Sequence, residues 1–116
     1  MTTLHKIDAK GMKLGRLATV VAMLLMGKDT PAFRKNLAPI SKVEILNASK
    51  IDITPKKMAE ISHVRYSGYP GGKTETKGRH VITKKGYEEL LRHAVSGMIP
   101  KNKHHSNMLK NLIVNE

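Results

Sequence analysis

The sequence predicts a single α/β layered domain with a largely parallel sheet, and three observations predict it. Strand-like apolar runs alternate with helical ones along the 116 residues, the order that lays parallel strands beside covering helices. A chain of this length supplies one core and not two. No internal repeat and no second domain shows in it, so residues 1–116 are read as one domain.

Leu4 to Ile7 reads as a short opening strand ending at Asp8-Ala9, and Lys10-Gly11 as a turn. From Lys13 to Met26 the spacing predicts a helix, because Leu14, Leu17, Ala18, Val21, Leu24 and Leu25 recur at i, i+3, i+4 and i+7. Val20 and Met23 widen that stripe, which predicts burial on more than one side. Gly27 stands where a helix is capped, with Lys28 at the negative end of the dipole. Asp29 to Ser41 has the Pro and Asn content of a loop, and Lys42 to Asn47 reads as the second strand. A continuous apolar strand beside a buried helix predicts a sheet covered on both faces.

Ile51 to Thr54 reads as a third, shorter extended segment halted at Pro55, and Lys56 to His63 as a weak polar helix. Tyr66 to Arg79 reads as a glycine-rich basic loop, the centre of a basic region over residues 64–82. The second long helix is expected over Thr83 to Gly97. Tyr87, Leu90, Leu91, Ala94, Val95 and Met98 line its apolar face, Glu88, Glu89 and Arg92 its polar one, and Gly97 and Pro100 end it. Residues 101–116 form a basic extension in which Met108 to Val114 is apolar enough to dock back as strand or helix.

Charge narrows the function. Lys and Arg number 21 against 9 acidic residues, a net +12 that attracts polyanions. Between Thr54 and Lys85 stand eight Lys or Arg against two Glu, half of the net charge. Gly68, Gly71, Gly72 and Pro70 interrupt regular structure there, and Tyr66 and Tyr69 are interleaved with the cations. A basic, glycine-shaped, aromatic segment can approach a phosphate backbone and offer a ring for stacking. No apolar run reaches the ~20 residues of a membrane span, and no secretory or transit pattern opens the chain. With no Cys there is neither a disulfide framework nor a thiolate metal site.

Catalytic and cofactor patterns fail on spacing. Gly27-Lys28-Asp29 lacks the earlier Gly and following Ser or Thr of a P-loop. No G-x-G-x-x-G follows the first strand. Six His are scattered, with His104-His105 adjacent, so the reading is solvated or RNA-facing His and no metal. Ser67 and Ser96 have no base in a recognisable pattern, and Asp8, Glu44 and Asp52 read as capping or solvated residues at strand ends. The chain is expected to be no enzyme and to carry no cofactor.

Several segments together resemble the family of protein thirteen of the large ribosomal subunit, in its bacterial form. Ile7-Asp8-Ala9 followed by Leu14-Gly15-Arg16-Leu17-Ala18 is similar to its opening signature, and Val43 to Ala48 with Lys50-Ile51 to its second strand. Ser67 to Gly72 matches its glycine-rich loop. Ala94-Val95 with Gly97 to Asn102, then Met108 to Leu112, match its late helix and exit. Pro55, the Val64 and Tyr66 pair, and His104-His105-Ser106 depart from the family pattern. The chain stops at Glu116 without the family's His-Pro-His tail, which points to a shortened form.

The resemblance implies a three-layer α/β/α domain with a mostly parallel sheet of about four strands. It implies a structural ribosomal protein, cytoplasmic and in the ribosome, that binds large-subunit ribosomal RNA and supports assembly beside neighbouring ribosomal proteins. No membrane and no small-molecule substrate is involved. The RNA contacts carried over or read from the basic region are Arg16, Lys56, Lys57, Arg65, Tyr66, Tyr69, Lys73, Lys77, Arg79, Lys101 and Lys103, with Gly68, Gly71 and Gly72 shaping the loop. The alternatives are a small α/β nucleic-acid-processing enzyme, which needs convergent acid, base or metal ligands at the strand ends, and a basic DNA-binding protein.

Overall fold

The computed structural model describes residues 3–116. Strand β1 (Leu4–Asp8) leads to helix α1 (Leu14–Met26), and β2 (Lys42–Leu46) follows the expected loop. Leu14, Leu17, Ala18, Val21, Ala22 and Leu25 are buried, as their helical spacing requires. The burial is one-sided: Val20 is 43% and Met23 50% exposed, so the wider stripe did not mean a second covered face. At its end the N–H groups of Gly27 and Lys28 return to the carbonyls of Leu24 and Met23, closing the helix.

The parallel sheet has three strands, ordered β1-β2-β5, with β5 at Leu112–Val114. Both pairings are parallel, with Ile7 beside Ile45 and Val43 beside Leu112. Val43, Ile45 and Leu112 point into the core, with Ile7 and Val114 packed against it. The opposite face carries Leu4, Lys6 and Ile113, all exposed, and half-buried Glu44. There Lys6 Nζ lies 3.7 Å from Glu44, which also accepts from Asn115 at 2.7 Å. This corrects the expectation of a sheet covered on both faces: the alternate positions of β1 and β2 are mostly polar, and solvent suits them.

The third strand expected over Ile51 to Thr54 is reduced to a parallel bridge between Lys13 and Asp52, whose side chains also pair. The reason lies one residue on. The Thr54 hydroxyl accepts from the Lys57 N–H at 3.3 Å and Pro55 takes the first helical position, so the chain turns into α2 (Pro55–Glu60).

The expected loop from Tyr66 to Arg79 is also corrected. Ser62–Tyr66 (β3) and Lys73–Lys77 (β4) pair as an antiparallel hairpin around a short turn, apart from the parallel sheet. Helix α3 follows at once over Gly78–Met98, five residues earlier than the apolar spacing indicated. It is two helical pieces joined at Gly86, whose φ of 78° and ψ of −175° no residue with a Cβ holds comfortably. The N–H of Tyr87, freed by that break, is capped by the Glu116 carboxylate at 2.8 Å.

The apolar run of the tail is both helix and strand: α4 (His105–Lys110), then β5. Arg92, expected on a solvent-facing side, holds it in place. Its guanidinium donates to the Leu109 carbonyl at 2.9 Å and the Leu112 carbonyl at 3.4 Å while pairing with Glu88 at 2.9 Å. Arg92→Ala should therefore lower stability by about 1–2 kcal/mol. Amide exchange should show the loss of protection first in residues 105–114; uniform loss across the domain would mean Arg92 does not act through the tail.

Candidate nucleic-acid interface

The hairpin owes its shape to its turn. Pro70 presets its own φ, and Gly71 takes φ 74°, while the Gly72 N–H closes back on the Tyr69 carbonyl at 2.9 Å. Those are the marks of a type II turn, in which the third position needs a positive φ. The Ser67 N–H then donates to the Gly72 carbonyl at 3.3 Å, and a Cβ at Gly72 would run into the Ser67 side chain and the Tyr69 carbonyl. The tip thus presents backbone and one ring: Tyr69 is 75% exposed.

Alternation along paired strands divides the hairpin into two faces. Val64 stands opposite Glu75, Tyr66 opposite Lys73, and Ser62 opposite Lys77. Tyr66 and Val64 are exposed there, flanked by Lys73 and Lys77. Lys77 Nζ lies 3.3 Å from Glu75, and that bond, with the Lys77 charge and a bond from Ser62, holds the Glu75 carboxyl below its ordinary value. The other face carries His63 opposite Thr76 and Arg65 opposite Thr74, and turns toward α3.

Lys56 and Lys57 are exposed on α2, which packs against β4 and α3, and Arg79 is exposed in the first turn of α3. Hairpin, α2 and the start of α3 therefore form one basic unit that gathers most of the anticipated contacts. The others stand on different elements. Arg16 is exposed on the first turn of α1. Lys101 and Lys103 follow the far end of α3, beyond the twelve residues Tyr87–Met98, about 18 Å of helix.

Of the histidines, His105 is structural: its Nε2 lies 3.2 Å from the Ser96 carbonyl and 3.3 Å from the Ser96 hydroxyl, which replaces the expectation of a solvated or RNA-facing ring. His63 and His93 were not singled out by sequence, yet their rings stack with centroids 3.6 Å apart and planes 14° from parallel. Thirty residues separate them, and only the fold joins β3 to α3. The three strand-end carboxylates are engaged in local structure. Asp8 accepts from Asn47 and from the Lys10 N–H, each at 3.0 Å, and those bonds lower its pKa. Glu44 and Asp52 pair with Lys6 and Lys13. Among the described residues no helix is long and apolar enough to cross a membrane.

Comparison with known proteins is in line with this architecture. Residues 2–116 match the family model described as ribosomal protein L13. The large ribosomal subunit protein uL13 of Trichlorobacter lovleyi is 44% identical over 108 residues, 93% of this chain and 75% of the relative. The protein of the same name from Clostridioides difficile is 43% identical over 95% of this chain and 76% of its own length. That of Thermus thermophilus is 45% identical over 82% and 67% respectively.

Proposed function

The chain belongs to the ribosomal protein L13 family, whose members are structural constituents of the large ribosomal subunit and not enzymes, and from that premise we propose that it binds large-subunit ribosomal RNA through the β3–β4 hairpin and the basic residues around it. Binding there supports assembly by fixing the RNA against a folded domain, with neighbouring ribosomal proteins beside it. The observation that carries this reading is the hairpin tip, where an exposed Tyr69 ring sits on a type II turn between strands bearing Arg65, Lys73 and Lys77. Arg and Lys neutralise phosphates, the glycines let backbone N–H groups come close, and the ring stacks on a base. Gly68, Gly71 and Gly72 shape the tip; Lys56, Lys57, Tyr66 and Arg79 extend the surface. Arg16, Lys101 and Lys103 serve a separate RNA segment at other edges of the domain. The carboxylates a nucleic-acid-processing enzyme would use are held in local bonds and ion pairs.

Binding should be steeply salt-dependent. If the basic unit neutralises about six phosphates, log K should fall against log salt with a slope of roughly −4 to −5. Filter binding to large-subunit RNA across a salt series reads that slope, and a value near zero would sink the electrostatic reading. Duplex DNA is the competitor: equal competition would favour a general DNA-binding protein instead.

A further inference from the structure

The inner face of the hairpin and α3 enclose an open cleft of about 480 Å³. Its walls are strongly basic. Arg65 enters from β3, with Thr74 and Thr76 beside it on β4, while Lys84, Lys85 and His80 enter from α3. None of Arg65, Lys84 and Lys85 has an ion-pair partner among the described residues. Against these cations the cleft holds one carboxylate, Glu89. Two further lining residues, His63 and His93, are the stacked pair.

Burial and the ring of His93, its centroid 3.6 Å away, both disfavour a positive charge on His63. A phosphate over the pair would supply the missing negative charge, and the free cations and threonine hydroxyls give its remaining oxygens donors. The cleft is open and is lined by residues of both hairpin strands, which suits a running backbone better than a single small anion. We propose that this cleft seats a strand of RNA backbone, with one phosphate over the His63–His93 stack, and that the stack takes up one proton from solvent as the phosphate arrives. The proposal rests on the RNA-binding reading above and adds a second surface to it, on residues that reading does not use apart from Arg65.

The surroundings of His63 are consistent with that uptake. Burial first, and the neighbouring His93 next, press its pKa below the ordinary imidazole value; Glu89 pulls it up and Lys85 presses it down. From its own strand Arg65 shares its face, and from β4 Thr76 stands opposite, with Glu75 and Lys77 on the far side. From α3, His80 and Lys84 line the same cleft; α2, packed on β4 and α3, carries Lys56, Lys57 and Glu60, all exposed. These surroundings disfavour the protonated form of His63 in the free protein. An incoming phosphate favours the protonated form of His63, so that form binds more tightly and affinity rises as pH falls.

The experiment is filter binding of the full chain to its own large-subunit RNA, transcribed in vitro, at fixed ionic strength from about pH 8 to about pH 6. Wild-type affinity should rise by up to about tenfold per pH unit over part of that window, the signature of one coupled proton. His63→Gln and His93→Gln should each flatten most of that rise; His93 is exposed, so its substitution leaves the fold intact. The double variant Lys84→Ala with Lys85→Ala should weaken binding at every pH and make the salt slope shallower by about 1–2. A flat wild-type profile overturns the proton uptake. If the histidine and lysine variants all match a wild type whose binding still depends on Tyr69 and Lys73, the cleft is empty and the hairpin reading stands. A wild type without affinity for the RNA overturns both.

Discussion

Leu91→Ala should lower the free energy of unfolding by about 2–5 kcal/mol, and Leu17→Ala by a similar amount. Both side chains are fully buried, on α1 and α3, which pack against each other. Truncation removes apolar burial and leaves a cavity that two helices and a sheet can only partly close. A domain of this size has about 5–15 kcal/mol of stability in total, so either loss would leave the protein marginal near its growth temperature. Lys57→Ala and Lys73→Ala, both exposed, should stay within about 0.5 kcal/mol of wild type and act on RNA binding. Urea or thermal melts of the four variants measure this. The reverse order of effects would mean that core and binding faces have been exchanged.

The elements legible in sequence are those whose side chains are sorted by burial. The periodic leucines of α1 and the Leu90, Leu91 and Val95 set of α3 point inward, and the apolar run within Lys42 to Asn47 marked the strand that stands at the centre of the sheet. What misled was apolar character without burial: Val20 and Met23 on α1, and Leu4 and Ile113 on the outer face of the sheet, are all at least 43% exposed. The hairpin was hidden for the opposite reason. Lys73 to Lys77 is all charge and threonine, so no hydrophobic alternation marks it as a strand; its pairing partner and the Tyr69-Pro70-Gly71-Gly72 turn do the specifying. The start of α3 likewise carries Val81, Ile82 and Thr83, β-branched residues that argue weakly for helix, and Gly86 then breaks it. For the site, charge and glycine located the basic unit. The His63–His93 stack left no local signal, because a contact between a strand and a helix thirty residues on exists only in three dimensions.

The hairpin tip gives the second large effect. Tyr69→Ala should weaken binding to large-subunit RNA by about 1–3 kcal/mol, whereas Tyr69→Phe should change it little, because stacking uses the ring and not the hydroxyl. Neither change should move the melting temperature, since Tyr69 is 75% exposed and does not belong to the buried core. Gly71→Val tests the backbone beneath the ring. At φ 74° a β-branched residue is strongly disfavoured, so the turn must rearrange and carry the Tyr69 ring away from its position. Nothing lies within 4 Å of the place where a Cβ would stand, and the tip lies outside the core. The damage should therefore appear in RNA affinity far more than in global stability. Binding isotherms and melts of the three variants decide the matter. If Tyr69→Ala and Gly71→Val were silent in binding yet lowered the melting temperature, the turn would be a structural clasp, and RNA contact would have to be sought on Lys56, Lys57 and the inner face of the hairpin.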